Sequence, residues 1–432
     1  MGSPACESKP AKTKTSPVEL ATIFRSLGLD YLYKANLTPR QKRAFRNITE
    51  CRTAAKGGHW WECTSCGHTV NQYNSCLDRH CPKCQGKARY QWAEKQMEEV
   101  VNTTYFHLVF TLPHILNPLV AANPAPLLGL LFRAVSQTLL AFGRDPKHLG
   151  GELGVITVLH TWSQKLGRHY HLHCIVPGGA LSSDGTRWIS SKHQEYLFPE
   201  FALGKTFRRL FWHGSKDLSK QDAPTKYSTT VKFKGLKDLI LEEHPDLSPT
   251  EQSSMTRRVK LLEDRLYSKR WVVYAKQAFG GPTQVINYLS CYTHRVAISN
   301  RRILSHANGM VTFSYKDRKN NDRKRSLCLP EGEFASRFLA HVLPVGFMKI
   351  RSYGFLANCK KRERLQQLHR LLGMPDISNC RVQEQADEHT EEPDQDSLCR
   401  TCPHCKKPTL KYLAPVRKCF QRLARNLIWD TS

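Results

Sequence analysis

A chain of 432 residues with 65 Lys and Arg against 37 Asp and Glu, a net charge of +28, is too long for one small core and too basic for solubility alone. Two to four domains and a polyanionic partner, nucleic acid first, follow from those numbers. No uninterrupted apolar run reaches the ~18 residues of a membrane span, and residues 1–17 lack an apolar signal core; this excludes membrane and secreted classes, implies a cytoplasmic protein, and points the sixteen cysteines to metal before disulfides.

Residues 1–17 read as a disordered tail. Residues 18–50 read as helices, with Thr38-Pro39 as a cap before a basic turn. Cysteines and histidines crowd residues 59–84, and a helix follows over about 87–101. A strand is expected over 105–112, a helix over 123–142, and two strands over 155–162 and 169–176 around a loop at 163–168. Pro177-Gly178-Gly179 ends the second strand. Residues 185–280 mix helices and short strands. A helix spans 283–298, a hairpin with a basic tip at 316–324 joins strands 311–315 and 325–329, and a basic helix covers 360–372. Residues 383–397 are acidic and poor in apolar side chains, the composition of a flexible linker.

Cys63-x-x-Cys66 and Cys81-x-x-Cys84 are two thiolate pairs, each able to sit on a tight turn. Together they make one tetrahedral zinc shell, the favoured reading. Four more ligands lie nearby: His59, His68, Cys76 and His80. They are either bystanders or a second site. Cys399, Cys402 and Cys405, with His404 and Cys419 available, suggest a C-terminal zinc, of which only the Cys402–Cys405 spacing is secure. The expected total is one to three structural Zn²⁺.

In a strand His171 and His173 share one face, whereas Leu172, Cys174 and Val176 take the other and can pack on a core. Two imidazoles on a rigid sheet can clamp a divalent ion, although one such pair is as often a plain strand end. His169 lies on the same side. On the 283–298 helix, Tyr288 and Tyr292 are four apart and fall together, with Gln284, Cys291 and Arg295 nearby. Alone they would be two tyrosines at a core edge. Beside a histidine clamp in a basic chain, they become covalent nucleophiles for a phosphodiester whose charge a metal neutralises.

Further motifs join these. Tyr73-Asn74-Ser75-Cys76 precedes Arg79-His80-Cys81-Pro82-Lys83-Cys84-Gln85. Val109-Phe110-Thr111-Leu112-Pro113-His114 precedes His171-Leu172-His173, which leads to Val176-Pro177-Gly178-Gly179. Phe279-Gly280-Gly281-Pro282 precedes Tyr288-Leu289-x-x-Tyr292-Thr293-His294-Arg295-Val296-Ala297-Ile298-Ser299-Asn300. Over roughly residues 50–375 the chain resembles the two-tyrosine HUH transposases of bacterial rolling-circle insertion sequences, the IS91-like group. The resemblance implies an antiparallel HUH nuclease sheet with helices on its faces for the catalytic part, and with the zinc modules that the cysteine spacings place at both ends the expected fold class is α+β. The resemblance also implies His171 and His173 as ligands of Mg²⁺ or Mn²⁺, and Tyr288 and Tyr292 as nucleophiles. The substrate would be single-stranded DNA at insertion-sequence ends, nicked and rejoined through 5′-phosphotyrosine intermediates. Tyr170 stands where Pro is common in that pattern and points away from the metal face. Gln284, one turn before Tyr288, is the leading third ligand, and Gln164 is the second choice.

The expected division is a helical, zinc-binding, DNA-binding region at 18–100, a catalytic region at 101–375 with an insertion at about 185–280, an acidic linker at 376–398 and a zinc module at 399–432. Arg295 and the hairpin tip, Lys316, Arg318, Lys319, Arg323 and Lys324, are expected to follow backbone phosphates. Trp60, Trp61 and Tyr73 either stack on bases or pack around the zinc. Gly204-Lys205-Thr206 lacks the first glycine of a phosphate loop, Pro199 standing there, so no nucleotide cofactor is expected. Two rivals stay open: a replication initiator or relaxase with the same chemistry, and a zinc-dependent DNA-binding regulator without activity.

Overall fold

The computed structural model describes residues 18–97, 99–193, 195–214, 234–242, 248–278, 285, 290, 292–317, 320–359, 361–374 and 401–416. Its strands in chain order are β1 (Gly58–Cys63), β2 (Thr69–Tyr73), β3 (Tyr105–Thr111), β4 (Gly151–Glu152), β5 (Gly154–Trp162), β6 (Arg168–Pro177) and β7 (Gly179–Ser182). They continue as β8 (Trp188–Ser190), β9 (Val273–Ala278), β10 (Ile303–Ala307), β11 (Met310–Asp317), β12 (Arg323–Pro330), β13 (Ile350–Gly354) and β14 (Leu410–Val416). The central sheet has the order β13-β5-β6-β3-β9, and every neighbouring pair is antiparallel. The histidine strand β6 is the middle one, so the mixed helix and antiparallel-sheet architecture agrees with the sequence expectation.

Alternation gives the sheet two different faces. Phe106, Leu108 and Phe110 of β3 and Leu172, Cys174 and Val176 of β6 point to one, and the helices Pro124–Arg144, Glu200–His213 and Pro249–Tyr267 cover it. Phe207 meets Trp271 edge-on with ring centroids 4.9 Å apart. Each such burial contributes about 1.5–3 kcal/mol. Helix Pro124–Arg144 is long and apolar enough to cross a membrane, but Leu127, Leu131 and Val135 on it fill this core. The opposite face carries His107, His171 and His173.

A second core joins distant parts of the chain. Helices Leu20–Lys34 and Pro39–Glu50 pack against β10-β11-β12 and helix Glu331–Leu339. Phe24 stacks on Phe45 at 4.5 Å and meets Phe338 at 5.8 Å. Thr38 closes a capping box with Gln41 at the start of its helix, a cap contributing about 1 kcal/mol. Residues 18–50 are thus bound to a segment some 280 positions away, through a shared apolar interior no local pattern announces.

The third unit is the sheet β14-β1-β2. β14 pairs antiparallel with β1 over Gly58–Cys63. The zinc-binding modules expected at the two ends are therefore physically joined. Within the region left unordered by sequence, β9 completes the edge of the central sheet. The Gly178-Gly179 pair has a packing reason. A Cβ on Gly178 would lie 2.2 Å from Thr104 Oγ1, and one on Gly179 would lie 2.5 Å from the Trp188 ring.

Candidate metal centres and active site

Three histidines meet on the open face of the central sheet. His171 and His173 come from β6, and His160 comes from β5, directly opposite His171 in the register. One ring nitrogen from each lies within 4.8 Å of the others. His160 and His173 are buried. Burial first, then the neighbouring imidazoles and Lys349, hold the His160 ring well below the ordinary histidine range, so it stands as a neutral base.

The hydrogen bonds around the three rings set their tautomers. His171 Nδ1 donates to the His169 carbonyl at 2.9 Å, and His160 Nε2 donates to the Tyr292 carbonyl at 2.9 Å. His173 Nδ1 is 2.8 Å from His107 Nε2, with the two rings nearly parallel. In His160 and His171 one nitrogen is thereby committed to orientation, which leaves the other its lone pair, and the same holds for His173 when its Nδ1 donates to His107. That is the donor set of a divalent transition-metal ion.

Tyr292 sits on this centre. Its ring centroid is 4.5 Å from that of His173 and 5.7 Å from that of His160, where the rings stack. Arg295 places its guanidinium 6.0 Å from the same ring. Tyr288 and Gln284 lie outside the described residues. Gln164 lies at the β5–β6 turn, where its carbonyl accepts from Arg302. The third place beside the histidine pair is filled by His160, which the sequence reading did not select. His107 also escaped it. Both sit in strands otherwise apolar, and only the cross-strand register brings them to β6.

The cysteines group differently from their spacing. Cys63 and Cys66 meet Cys402 and Cys405, whereas Cys81 and Cys84 meet Cys51 and Cys76. Sulfur–sulfur distances are 3.6 Å for Cys63–Cys405, 3.8 Å for Cys66–Cys402, and 3.6 Å for both Cys51–Cys84 and Cys76–Cys84. A tetrahedral zinc with bonds of ~2.3 Å has an edge of about 3.8 Å. Both clusters fit that shell. The Thr409 hydroxyl, 3.0 Å from Cys63 Sγ, draws that thiol down to about 6. The expectation of one ion on Cys63, Cys66, Cys81 and Cys84 is corrected, because β14 brings a second pair to the first. Cys76 joins a cluster, and the unpredicted Cys51 completes it.

The histidines named for a second site do other work. His80 Nδ1 bonds Asp78 at 3.0 Å and Nε2 accepts from the Leu343 amide. His59 packs on Tyr412, and His68 stacks on His404. Cys399 lies outside the described residues. Trp61 is buried edge-on against Tyr412, Tyr73 is half-buried, and Trp60 is exposed. In the basic hairpin Lys316 and Lys324 face each other across β11 and β12, both exposed, beside exposed Arg323. Like charges directly opposite are unfavourable without a counter-anion. Arg318 and Lys319 lie outside the described residues.

Comparison with known proteins gives a consistent family. Residues 23–112 match a family described as "Transposase zinc-binding domain", and residues 154–364 match one described as "Putative transposase". The chain is 43% identical over 390 residues to "Putative transposase y4qJ" of Sinorhizobium fredii (strain NBRC 101917 / NGR234), covering 90% of this chain and 92% of that protein. It is 28% identical over 327 residues to "Transposase for insertion sequence element IS801" of Pseudomonas savastanoi pv. phaseolicola, covering 75% and 72%. No solved structure matches it. The zinc-binding domain and the two cysteine clusters together support structural Zn²⁺.

Proposed function

The chain belongs to the transposases of the IS91/IS801 type, and from that premise we propose that it nicks and rejoins single-stranded DNA at insertion-sequence ends through a 5′-phosphotyrosine. The observation that carries this reading is the Tyr292 ring packed on the three-histidine cluster, 4.5 Å from His173. His160, His171 and His173 would hold a divalent ion, and that ion, when bound, withdraws charge from the scissile phosphate. The Tyr292 oxygen attacks phosphorus, and the bond to the 3′ oxygen breaks. The phenol gives up one proton, and the departing 3′ oxygen gains one. The tyrosyl ester conserves the phosphodiester, so a 3′ hydroxyl of another strand can reverse the step. Tyr288, from the same sequence motif, would take the second strand. The cysteine clusters would each hold one Zn²⁺ and stabilise the small β14-β1-β2 unit and its neighbouring helices.

Incubation of the protein with Mn²⁺ and a labelled single-stranded end sequence is expected to yield an adduct that maps to a tyrosine. Strand binding without an adduct would favour the non-catalytic regulator instead. The replication-initiator and relaxase readings share this chemistry, and the family membership favours the transposase.

Among the described residues three imidazoles and no carboxylate form the donor set, and it suits Mn²⁺ better than Mg²⁺, which prefers oxygen. Mn²⁺ is therefore expected to bind at least ~10-fold more tightly than Mg²⁺ in calorimetric titrations. Equal affinities would mean that oxygen ligands dominate the site.

His107 positions His173 through the 2.8 Å bond between their rings. His107→Ala is expected to weaken Mn²⁺ binding about 10–100-fold, the usual cost of losing such a partner. His107→Gln should restore part of it. Paramagnetic resonance of bound Mn²⁺ reads this directly, and unchanged affinity in the Ala variant would deny His107 that role.

A further inference from the structure

Beside the histidine centre lies a narrow crevice whose walls include Arg79, Trp162, Arg295, His341 and Lys349. Trp162 separates it from the centre by one ring, stacking on His160 with centroids 4.7 Å apart. Lys349 donates to the Arg295 carbonyl at 2.8 Å, with Nζ 5.3 Å from the Trp162 ring centre. Arg79 donates to the Phe347 and Pro344 carbonyls, and its Nε is buried without a hydrogen-bond partner. His341 adds no charge. Burial pushes it down to about 4, and it bonds Thr161 and the Leu166 carbonyl.

Three cations therefore converge here, and among the described residues none forms an ion pair with a carboxylate. Asp78, the carboxylate felt by Arg79, is occupied by Arg40 at 2.9 Å and His80 at 3.0 Å. Burial, then the like charges of Arg79 and Arg295, depress the Lys349 ammonium to about 7. Such concentrated, uncompensated positive charge costs the fold stability unless an anion occupies the site. Elsewhere the basic surface can be explained by solvation. Arg79 and Lys349, partly buried with the exposed Arg295 at their side and next to the proposed reacting tyrosine, cannot.

We propose that the mouth of this crevice, between Trp162, Arg295 and Lys349, seats the backbone phosphate neighbouring the one attacked, and so fixes the register of the strand across the histidine centre. The proposal rests on the strand-cutting reading above. Lys349 and Arg295 supply charge and hydrogen bonds to phosphate oxygens, and Trp162 walls the phosphate off from the ligand His160. Lys349 is a positioning residue, and no bond to it is made or broken.

The test uses full-length, zinc-loaded protein and a fluorescent single-stranded oligonucleotide. Lys349→Met is expected to reduce the slope of log affinity against log salt by about 0.7, one phosphate contact on a single strand, and Lys349→Arg to retain it. Mn²⁺ affinity, measured in parallel, should not fall, since removing a positive charge that acts on His160 can only favour a bound cation. In the wild type Lys349 should react readily with limiting acetic anhydride, as a lysine depressed to about 7 carries much neutral amine. Bound oligonucleotide should shield it in proportion to occupancy, while inorganic phosphate at the same phosphate concentration should not. An unaltered slope in Lys349→Met with Mn²⁺ binding intact, or an unshielded Lys349 in oligonucleotide-saturated protein, overturns the assignment. Equal shielding by inorganic phosphate would make this a small-anion site and also overturn it. Failure of the wild type to bind any oligonucleotide would sink the strand-cutting reading itself.

Discussion

Tyr292→Phe is expected to remove the covalent adduct at that position and to lower cleavage of the strand it attacks by at least about 10³-fold, the scale of losing a nucleophile. Metal binding and strand affinity should stay within about twofold, since only one hydroxyl is removed. The structure explains why this variant isolates the chemistry. His160 is oriented by the carbonyl of Tyr292, not by its phenol, so Phe retains that bond. The ring contact with His173 at 4.5 Å also survives. Replacing Tyr288 and Tyr292 together by Phe should abolish every adduct. By contrast, His171→Ala or His173→Ala should abolish cleavage by losing the ion, and added Mn²⁺ should not restore it. Mass spectrometry of the protein–DNA adduct distinguishes these cases. An adduct persisting on the double Phe variant would eliminate both tyrosines as nucleophiles.

Residue pairs close in sequence were legible before the fold. Period-two alternation alone puts His171 and His173 on one face and Leu172, Cys174 and Val176 in the core, and the structure has them so. The cap at Thr38-Pro39 and the helix expected over 123–142 were legible for the same local reason, whereas the reciprocal bond to the Gln41 side chain was not. What crosses between strands was not. His160 reaches His171 only because β5 and β6 pair in one particular register, with an irregularity between His160 and Trp162 that no composition signals. Gln164, the second choice for a third ligand after Gln284, belongs to the turn, and Gln284 lies outside the described residues. Cys51 carries no partner at zinc-like spacing, so nothing in its neighbourhood distinguishes it from an ordinary buried cysteine. Arg79, Arg295 and Lys349 come from three separate segments and converge only through the second core and the edge of the sheet.

The pairing of cysteine turns illustrates the same limit, and it leads to the second large expected effect. Cys66 is 336 residues from Cys402, whereas Cys81 follows it by 81 − 66 = 15. Closing the longer loop costs only about 3 kcal/mol more, because loop entropy grows with the logarithm of length. A structural zinc contributes on the order of 10 kcal/mol. Proximity in sequence is therefore a weak guide, and strand pairing decides. Replacing Cys402 and Cys405 together by Ser should lower the zinc content from two ions per chain to one. It should also release β14, so that the amides joining it to β1 over Gly58–Cys63 exchange more than ~10²-fold faster, a local loss of about 3 kcal/mol. Replacing Cys51 and Cys84 should instead spare β14 and loosen the Pro39–Glu50 helix, since Cys51 caps its end and both cysteines lie in the second core. Two zinc ions retained in the Cys402/Cys405 variant would mean that the first pair finds its ligands elsewhere, and that β14 is held to β1 by strand pairing alone.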